Sequence, residues 1–273
     1  MLILLLIVLL SCLLYGFFIE PERLRREELQ IDVPGLPEIW NQRKILLFSD
    51  LHLGPGMRPE RLKKFMGILR EEAADLVLFA GDFTEEIALP ASPEKEKIWR
   101  DALSSLQPAL GFYGVYGNHD RSCPESFAAC GKTGGDAGIL FLKNKGLMLD
   151  GLYLMGLDDG MEGHPSCQEA LENKTDSQAF EVCLFHEPDL AAALPEAESQ
   201  RLLLSGHSHN GQIRPFGLYL YREKCARHYV KGLYQISEKT KLYVSSGLGT
   251  VGIHARFMAP PSYTVIQLRS RLL

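Results

Sequence analysis

The sequence has no excess of positive charge and no paired-cysteine motif. Its 273 residues contain 29 lysines and arginines against 34 aspartates and glutamates, which gives a net charge of −5. This balance supplies no general attraction to a polyanion, so nucleic acid is not an expected partner. The six cysteines include no C-x₂-C pair, which disfavours a structural zinc site of the Cys₄ or Cys₂His₂ type. Their irregular spacing fits a reducing compartment.

Repeats and low-complexity segments are also missing, so collagen, coiled-coil and low-complexity proteins are excluded. Hydrophobic residues make up 46% of the chain and charged residues 23%, both close to ordinary globular usage. A chain of this length and composition can bury a sizeable core, and its length predicts one large or two small domains.

One long hydrophobic run lies at the N-terminus. Residues 2–19 are eighteen consecutive positions without a charge, and a helix of that length spans ~27 Å, enough to cross a bilayer. No basic residue precedes the run and no small-residue cleavage motif follows it, so we expect an uncleaved transmembrane anchor over residues 1–19. Arg23, Arg25 and Arg26 follow the run, and the positive-inside rule then predicts a single-pass protein of the cell membrane with a cytoplasmic body.

The remainder divides into a short connecting segment and one domain. Residues 20–42 are charged and then contain Pro34, Gly35 and Pro37, which is typical of a juxtamembrane linker. Residues 43–273 are expected to form a single folded domain.

Apolar runs bounded by polar residues predict buried strands in this domain. The first two lie at residues 44–48 and 76–80, and between them apolar residues recur at helical spacing from Leu62 to Leu69. The alternation of strands and helices, followed by hairpin-like strands, predicts an α/β domain with a mixed sheet. Further strand candidates are residues 112–116, 139–142, 152–156, 180–185, 201–204, 218–221, 241–244 and 263–268.

Five short polar strings follow apolar strand candidates, where open α/β sheets have their ligand sites. Residues two apart lie on the same side of an extended chain, so Asp50 can converge with His52, and His207 with His209. One such string alone is more often an ordinary loop, but five at the ends of apolar runs indicate a shared site. The strings are Asp50-x-His52, Gly81-Asp82, Gly117-Asn118-His119-Asp120, His186-Glu187-Pro188 and Gly206-His207-x-His209.

Seven side chains in these strings are candidate metal ligands. They offer two carboxylates, one amide oxygen and four imidazoles: Asp50, His52, Asp82, Asn118, His186, His207 and His209. This mixed nitrogen and oxygen set suits Mn²⁺, Fe or Zn²⁺, and we expect Mn²⁺ first. Seven ligands are more than one tetrahedral zinc uses, so two divalent metal ions that share a carboxylate are expected.

The strings occur in the order found in the calcineurin-like metallophosphoesterase superfamily, which the sequence resembles over roughly residues 43–268. The resemblance implies a four-layer α/β/β/α sandwich. The apolar N-terminus, the Ile19-Glu20-Pro21 exit and residues 206–212 are most similar to the bacterial membrane-associated branch of the superfamily. That branch includes a lipid A pathway pyrophosphatase that acts on UDP-2,3-diacylglucosamine.

The resemblance also implies a role for each candidate residue. The first metal would be bound by Asp50, His52, Asp82 and His209. The second would be bound by Asp82, Asn118, His186 and His207, with Asp82 as the bridge. His119 matches the catalytic histidine beside the leaving group, and either Glu85 or Asp120 would orient it. Apart from the resemblance, His164, His228 and His254 lie outside the strings and are expected to be surface or packing histidines, and Arg256 is expected to be an ordinary surface arginine.

The resulting hypothesis is a membrane-anchored hydrolase of phosphodiester or pyrophosphate bonds. Two divalent cations can hold hydroxide at neutral pH, and this hydroxide would attack phosphorus in line. The expected substrate is a phosphoester, lipid-linked or nucleotide-linked. Two alternatives stay open: a phosphatase that acts on a soluble substrate, and a metal-stabilised scaffold without activity.

Overall fold

The computed structural model describes residues 1–85 and 92–271. The N-terminal helix α1, Leu2–Leu14, continues through a π turn at Tyr15–Ile19 and a 3₁₀ turn at Glu20–Glu22. The whole segment is 21 residues long, and only 6% of its apolar stretch is buried. The predicted anchor is therefore an exposed helix that is long and apolar enough to cross a bilayer.

The described part of the body contains twelve strands and five further α-helices. The helices are α2 Pro59–Glu71, α3 Pro93–Leu103, α4 Asn118–Arg121, α5 Pro124–Asp136 and α6 Cys167–Leu171. The strands are β1 Arg25–Pro34, β2 Ile45–Phe48, β3 Leu76–Ala80, β4 Phe112–Val115, β5 Ile139–Phe141, β6 Lys145–Leu149, β7 Leu152–Gly156, β8 Phe180–Leu184, β9 Arg201–Ser205, β10 Gly232–Gln235, β11 Thr240–Val244 and β12 Ser262–Arg271.

These strands form two six-stranded sheets with both parallel and antiparallel pairs. The first has the order β1-β12-β2-β3-β4-β5, and β2 to β5 run parallel to one another. The second has the order β10-β11-β9-β8-β7-β6, with β7, β8, β9 and β11 parallel. The predicted mixed α/β architecture is confirmed.

Residues of each central strand alternate between two hydrophobic cores. In β3, Leu78 packs between the sheets with Leu154 of β7, while Phe79 points to the outer face with Phe65 of α2 and Trp99 of α3. A third core covers the outer face of the second sheet, where α6 packs. The order of layers is therefore α/β/β/α, and the four-layer prediction is confirmed.

The predicted linker over residues 20–42 is wrong for its central part. Arg25–Pro34 is β1, an edge strand that pairs in parallel with β12 over ten residues. Its buried side chains, Leu29, Ile31 and Val33, alternate with exposed polar ones. Except for the half-buried Glu27, which pairs with Lys231, the charged residues of this segment lie at exposed positions and do not prevent burial of the other face.

The strand predicted at residues 218–221 is also wrong. Leu218, Leu220 and Tyr221 are exposed and lie outside both sheets, and no strand of the described residues pairs with this apolar stretch. Strands β6 and β10 were not among the candidates, and each pairs antiparallel at an edge of the second sheet. Edge strands carry mixed sequences because one side of their backbone faces solvent.

The end of the N-terminal helix packs directly on the body. The carboxylate of Glu20 is buried and accepts hydrogen bonds from the backbone nitrogens of Met258, at 2.8 Å, and Ala259, at 2.6 Å. The backbone nitrogen of Arg256 donates to the carbonyl of Gly16 at 2.9 Å. The helix and the body are therefore joined by a packed contact as well as by the chain itself.

We expect Glu20→Ala to lower the free energy of unfolding by about 2–3 kcal/mol, because two backbone N–H groups lose a charged acceptor. Chemical denaturation of the full chain in detergent measures this difference. Glu28→Ala is the matched control, since Glu28 is 61% exposed and its loss should change stability by less than ~0.5 kcal/mol. Equal stability of the two variants would contradict the role given to Glu20.

Candidate metal centre

The candidate ligands follow the carboxyl ends of central strands in both sheets. Asp50 and His52 follow β2, Asp82 follows β3, and His186 follows β8. Backbone hydrogen bonds hold these ends together, from Asp50 to the carbonyl of Gly81 at 2.8 Å and from Gly206 to that of His186 at 3.1 Å. The remaining candidates follow β4 and β9: Asn118, His207 and His209. All seven therefore emerge at the same edge of the sandwich.

The backbone at five of these ligands is left-handed rather than extended. The φ angles are 53° at Asp50, 44° at His52, 58° at Asp82, 67° at His207 and 48° at His209. Ligand atoms of Asp50 and His52 lie within 4.8 Å of each other, whereas those of His207 and His209 belong to two different groups. The extended-chain reason given for both pairs is wrong. Non-glycine residues rarely adopt such angles, and local backbone strain of this kind concentrates at functional sites.

Glycines allow the strings to approach one another closely. A Cβ atom at Gly117 would lie 2.2 Å from Oδ1 of Asp82 and 2.5 Å from its backbone nitrogen. A Cβ atom at Gly81, where φ is +89°, would lie 2.5 Å from Nδ1 of His186. Only glycine fits at these two positions without displacing a candidate ligand.

Gly117→Ala should displace Asp82 and weaken binding of Mn²⁺ by ~10–100-fold, the usual cost of disturbing the support of a metal ligand. Calorimetric titration of the full chain with Mn²⁺ measures this change. Gly135→Ala is the control, because a Cβ there meets nothing within 4 Å. Unchanged Mn²⁺ affinity in Gly117→Ala would contradict the expected displacement.

One group of candidate ligands surrounds Nε2 of His52. This atom lies 3.0 Å from Nε2 of His209 and 3.4 Å from Oδ2 of Asp82. Nε2 of His209 lies 3.7 Å from Oδ1 of Asp50. The four side chains are buried, and one ligand atom of each lies within 4.8 Å of the others.

A second group is formed by Asp82, His186 and His207, again with ligand atoms within 4.8 Å of one another. Nε2 of His186 lies 3.1 Å from Oδ2 of Asp82 and 3.2 Å from Nδ1 of His207. Nδ1 of His186 lies 2.8 Å from the carbonyl of Ala80, which orients the ring and leaves Nε2 for the site. Asp82 is common to both groups.

Burial sets the charge of these side chains. It lowers the pKa of His52 to about 3 and that of His207 to about 4, and it lowers the pKa of His209 well below its ordinary value. These imidazoles are therefore neutral and keep a lone pair for a metal. Burial alone would disfavour charge on Asp82 and His186, but their mutual attraction lowers the pKa of Asp82 and raises that of His186.

Several polar atoms at the site have no hydrogen-bond partner among the described residues. Oδ1 of Asn118 and Nδ1 of His52 are buried and unpartnered. Two imidazole nitrogens, Nε2 of His52 and of His209, also face each other at 3.0 Å. Buried polar atoms are normally satisfied, so unpartnered atoms together at one edge fit a set of ligands for divalent cations.

His119 lies beside the first group. Its ring centroid is 4.8 Å from that of His52, in an edge-to-face contact, and its backbone nitrogen donates to Oδ1 of Asp82 at 3.0 Å. Its Nδ1 is buried and has no hydrogen-bond partner among the described residues. Neither of the two residues expected to orient His119 bonds its Nδ1. The carboxylate of Asp120 accepts hydrogen bonds from the backbone nitrogens of Phe83, Thr84 and Gly117. The carboxylate of Glu85 faces His254 at 3.9 Å.

Two residues near the site were not identified from the sequence. Arg256 was expected at the surface, which is wrong: it is fully buried and donates to the carbonyls of Gly249, at 2.7 Å, and Ala259, at 2.9 Å. One of its nitrogens lies 3.5 Å from Nδ1 of His209, so it supports that ligand. Glu223 lines a cavity beside His209, and burial raises its pKa. Neither belongs to a recognisable motif.

The known proteins that this chain resembles are metallophosphoesterases. The family model for calcineurin-like phosphoesterases matches residues 43–211. YkuE of Bacillus subtilis, an uncharacterized metallophosphoesterase, is 31% identical over 263 residues, which cover 94% of this chain and 89% of that protein. An uncharacterized metallophosphoesterase of Helicobacter pylori is 31% identical over 93% of this chain, and the chain spans 66% of its length, just under two thirds.

A transmembrane protein with a metallophosphoesterase domain from Danio rerio is 28% identical over 89% of this chain and 56% of its own length. Among solved structures, the nuclease MPE of Pseudomonas putida aligns over 76% of this chain and 75% of that chain at 18% identity and a TM-score of 0.39. A likeness of that size carries no argument about activity. The family match and the relatives agree with the Asp and His clusters, and the chain belongs to the calcineurin-like phosphoesterase family of metal-dependent phosphoesterases.

Proposed function

We propose that this chain is a membrane-anchored phosphoesterase with a dinuclear metal site, which hydrolyses a phosphodiester or pyrophosphate bond of a lipid-linked or nucleotide-linked substrate. The N-terminal helix crosses the cell membrane once, and the body lies in the cytoplasm. The single observation that carries the metal site is the shared carboxylate of Asp82, which lies within reach of both ligand groups. Two cations close together need such a bridging negative charge.

The first metal is assigned to the group around His52 and the second to the group around His186. Asn118 adds an amide oxygen to the second group, since its buried Oδ1 has no other partner among the described residues. Mn²⁺ is the proposed ion, with Fe or Zn²⁺ as alternatives of similar ligand preference. Two bound cations would polarise the phosphoryl oxygens and provide a nucleophile from water at neutral pH.

His119 is assigned the proton transfer to the leaving group. It is held beside the ligands by its backbone bond to Asp82 and by its contact with the ring of His52. A protonated imidazole there would neutralise the leaving oxygen, which is the ordinary role of a general acid.

An apolar cavity beside the metal centre supports a lipid-linked substrate over a soluble one. The cavity of ≈ 410 Å³ is lined by His209 and by apolar residues that include Leu220, Val251 and Ile253. Apolar walls next to a charged reaction centre suit a substrate that combines a phosphate with a hydrocarbon chain. A phosphatase for small soluble substrates has no need of such a wall.

The experiment is turnover by the detergent-purified full chain with added Mn²⁺. Hydrolysis of bis(p-nitrophenyl) phosphate supports the phosphoesterase, and its complete absence with two bound metals per chain would favour the scaffold. Faster cleavage of UDP-2,3-diacylglucosamine in detergent than of UDP-N-acetylglucosamine supports the lipid-linked substrate, because the two share the uridine diphosphate and a sugar. Equal rates on both would favour a soluble substrate.

A further inference from the structure

Large apolar side chains are exposed around the point where the N-terminal helix meets the body. They belong to two segments, residues 213–221 and 253–258, which we call the apolar rim. Monomeric soluble proteins rarely expose contiguous apolar surface of this kind, and where they do it marks a protein or membrane contact. The exposed fractions are 90% for Phe216, 66% for Leu218, 67% for Leu220, 63% for Tyr221, 58% for Ile253 and 50% for Met258.

The second segment of the rim touches the apolar helix itself. The ring of Phe257 packs edge-on against Tyr15 at 6.0 Å, and the backbone nitrogen of Arg256 donates to the carbonyl of Gly16. Tyr15 and Gly16 lie inside the uncharged run of residues 2–19. Any bilayer that receives the end of this run therefore also meets the residues packed beside it.

The first segment is bonded to the second. Ile213 forms a β-bridge with Phe257, and the backbone nitrogen of Arg214 donates to the carbonyl of Phe257 at 2.7 Å. The backbone nitrogen of Phe216 lies 3.2 Å from Sδ of Met258. The first segment is therefore fixed to the second, which packs on the helix.

The backbone at Phe216 is left-handed, with φ at 57°. This conformation is unfavourable for a bulky residue, and it coincides with the most exposed large hydrophobic side chain among the described residues of the body. Strained backbone that presents an aromatic ring to the outside fits a contact outside the chain rather than a contribution to folding.

Basic residues are frequent within and just after the first segment of the apolar rim, and one of them, Lys231, pairs with Glu27 at 2.7 Å. Residues 212–231 contain five basic residues (Arg214, Arg222, Lys224, Arg227 and Lys231) and one acid, Glu223, although the whole chain has a net charge of −5. Arg214 and Arg222 lie over the ring of Tyr219, at 4.1 and 4.6 Å. Exposed apolar and aromatic residues with flanking Lys and Arg are the composition of surfaces that rest in the interface of anionic bilayers.

We propose that the apolar rim is a second membrane contact, which rests in the interface of a bilayer containing anionic lipid. The inference rests on the proposed membrane anchoring by the N-terminal helix. Because Leu220 and Ile253 also line the cavity beside His209, the same contact opens the cavity toward the lipid. A lipid-linked phosphoester would then reach the metal centre without leaving the bilayer.

The test is depth-dependent quenching of tryptophan emission by brominated phosphatidylcholine. The full chain is reconstituted in vesicles of phosphatidylcholine and phosphatidylglycerol, as the variants Phe216→Trp and, independently, Leu218→Trp. The native Trp40 and Trp99 are buried, at 0% and 2% exposure, and give a baseline in the unsubstituted chain. The emission of the added tryptophan is obtained by subtracting the baseline from that of each variant. We expect bromines near the headgroup to reduce this emission strongly in both variants.

Leu140→Trp is the matched control. Leu140 is 59% exposed and lies on β5, at the edge of the first sheet. Three strands separate β5 from β12, so the emission of a tryptophan at position 140 should not be quenched. Unquenched emission from both rim variants in chains that float with the vesicles overturns the rim contact and leaves the anchor intact. A shift in emission that depends on protein density but not on bromine assigns the rim to a second copy of the chain, and overturns the inference.

Quenching is independent of hydrolysis, so this result and that of the proposed function are distinguishable. Inactivity on bis(p-nitrophenyl) phosphate with quenched rim variants would reject the hydrolase and keep the membrane contact. Failure of the chain to float with vesicles would reject the anchor and the rim together.

Discussion

Asp82→Asn is expected to lower turnover of bis(p-nitrophenyl) phosphate by at least ~10³-fold, the upper end of the cost of removing one electrostatic contact from a reaction centre. The reason is that Asp82 is the only side chain common to both ligand groups of the described residues. An asparagine keeps the shape but removes the shared charge, so two cations would face each other with less compensation. Metal analysis of the purified variant should therefore find fewer than two ions per chain.

The matched control for this variant is Asp101→Asn on helix α3. Asp101 is half exposed and pairs with Lys97 on the same helix, away from the metal centre. It should retain full turnover and both ions. Wild-type activity and metal content in Asp82→Asn would remove the basis of the dinuclear assignment.

His119→Ala is expected to lower kcat by ~10²–10⁴-fold, the usual contribution of a general acid, while both ions stay bound. The loss should depend on the leaving group. A p-nitrophenolate is stable without a proton, whereas an alkoxide is not, so the variant should lose more activity on an alkyl phosphodiester than on a nitrophenyl one. Turnover of this pair of substrates, with metal analysis of the same sample, checks the prediction.

His164→Ala is the control, because His164 is exposed and its hydrogen bonds among the described residues involve only its backbone. It should leave both substrates unaffected. An equal loss on both substrates in His119→Ala would indicate a structural role for the ring, and loss of metal would indicate that it supports the ligands instead of the leaving group.

The central strands and the site strings were predictable because their signals are local. The runs at β2 and β3 are apolar on both faces, as expected for strands between two layers. The polar strings come directly after such runs, so the edge at which Asp50, Asp82 and His186 meet follows from the strand directions alone. Their convergence did not require knowledge of the loops.

The remaining features depend on partners that are distant in the chain. Strand β1 is charged in sequence and becomes a strand by pairing with β12, more than two hundred residues away. Arg256 resembles a surface residue until the carbonyls of residues 246–259 and the ring of His209 surround it. The left-handed angles at Asp50 and His52 accompany backbone hydrogen bonds to Gly81 and Asp82, in the turn that follows strand β3. Local sequence does not encode these bonds.

The buried carboxylate of Glu20 has a consequence for how the enzyme would find its substrate. In the proposed membrane-anchored enzyme, a body held against the end of the helix by these bonds would not swing away from the membrane, and its catalytic edge would stay at one height above the lipid. Encounter with an embedded substrate then becomes a two-dimensional search, in which the rate follows the mole fraction of substrate in the surface. Diluting the membrane with inert lipid would slow such an enzyme even when the bulk concentration of substrate is constant.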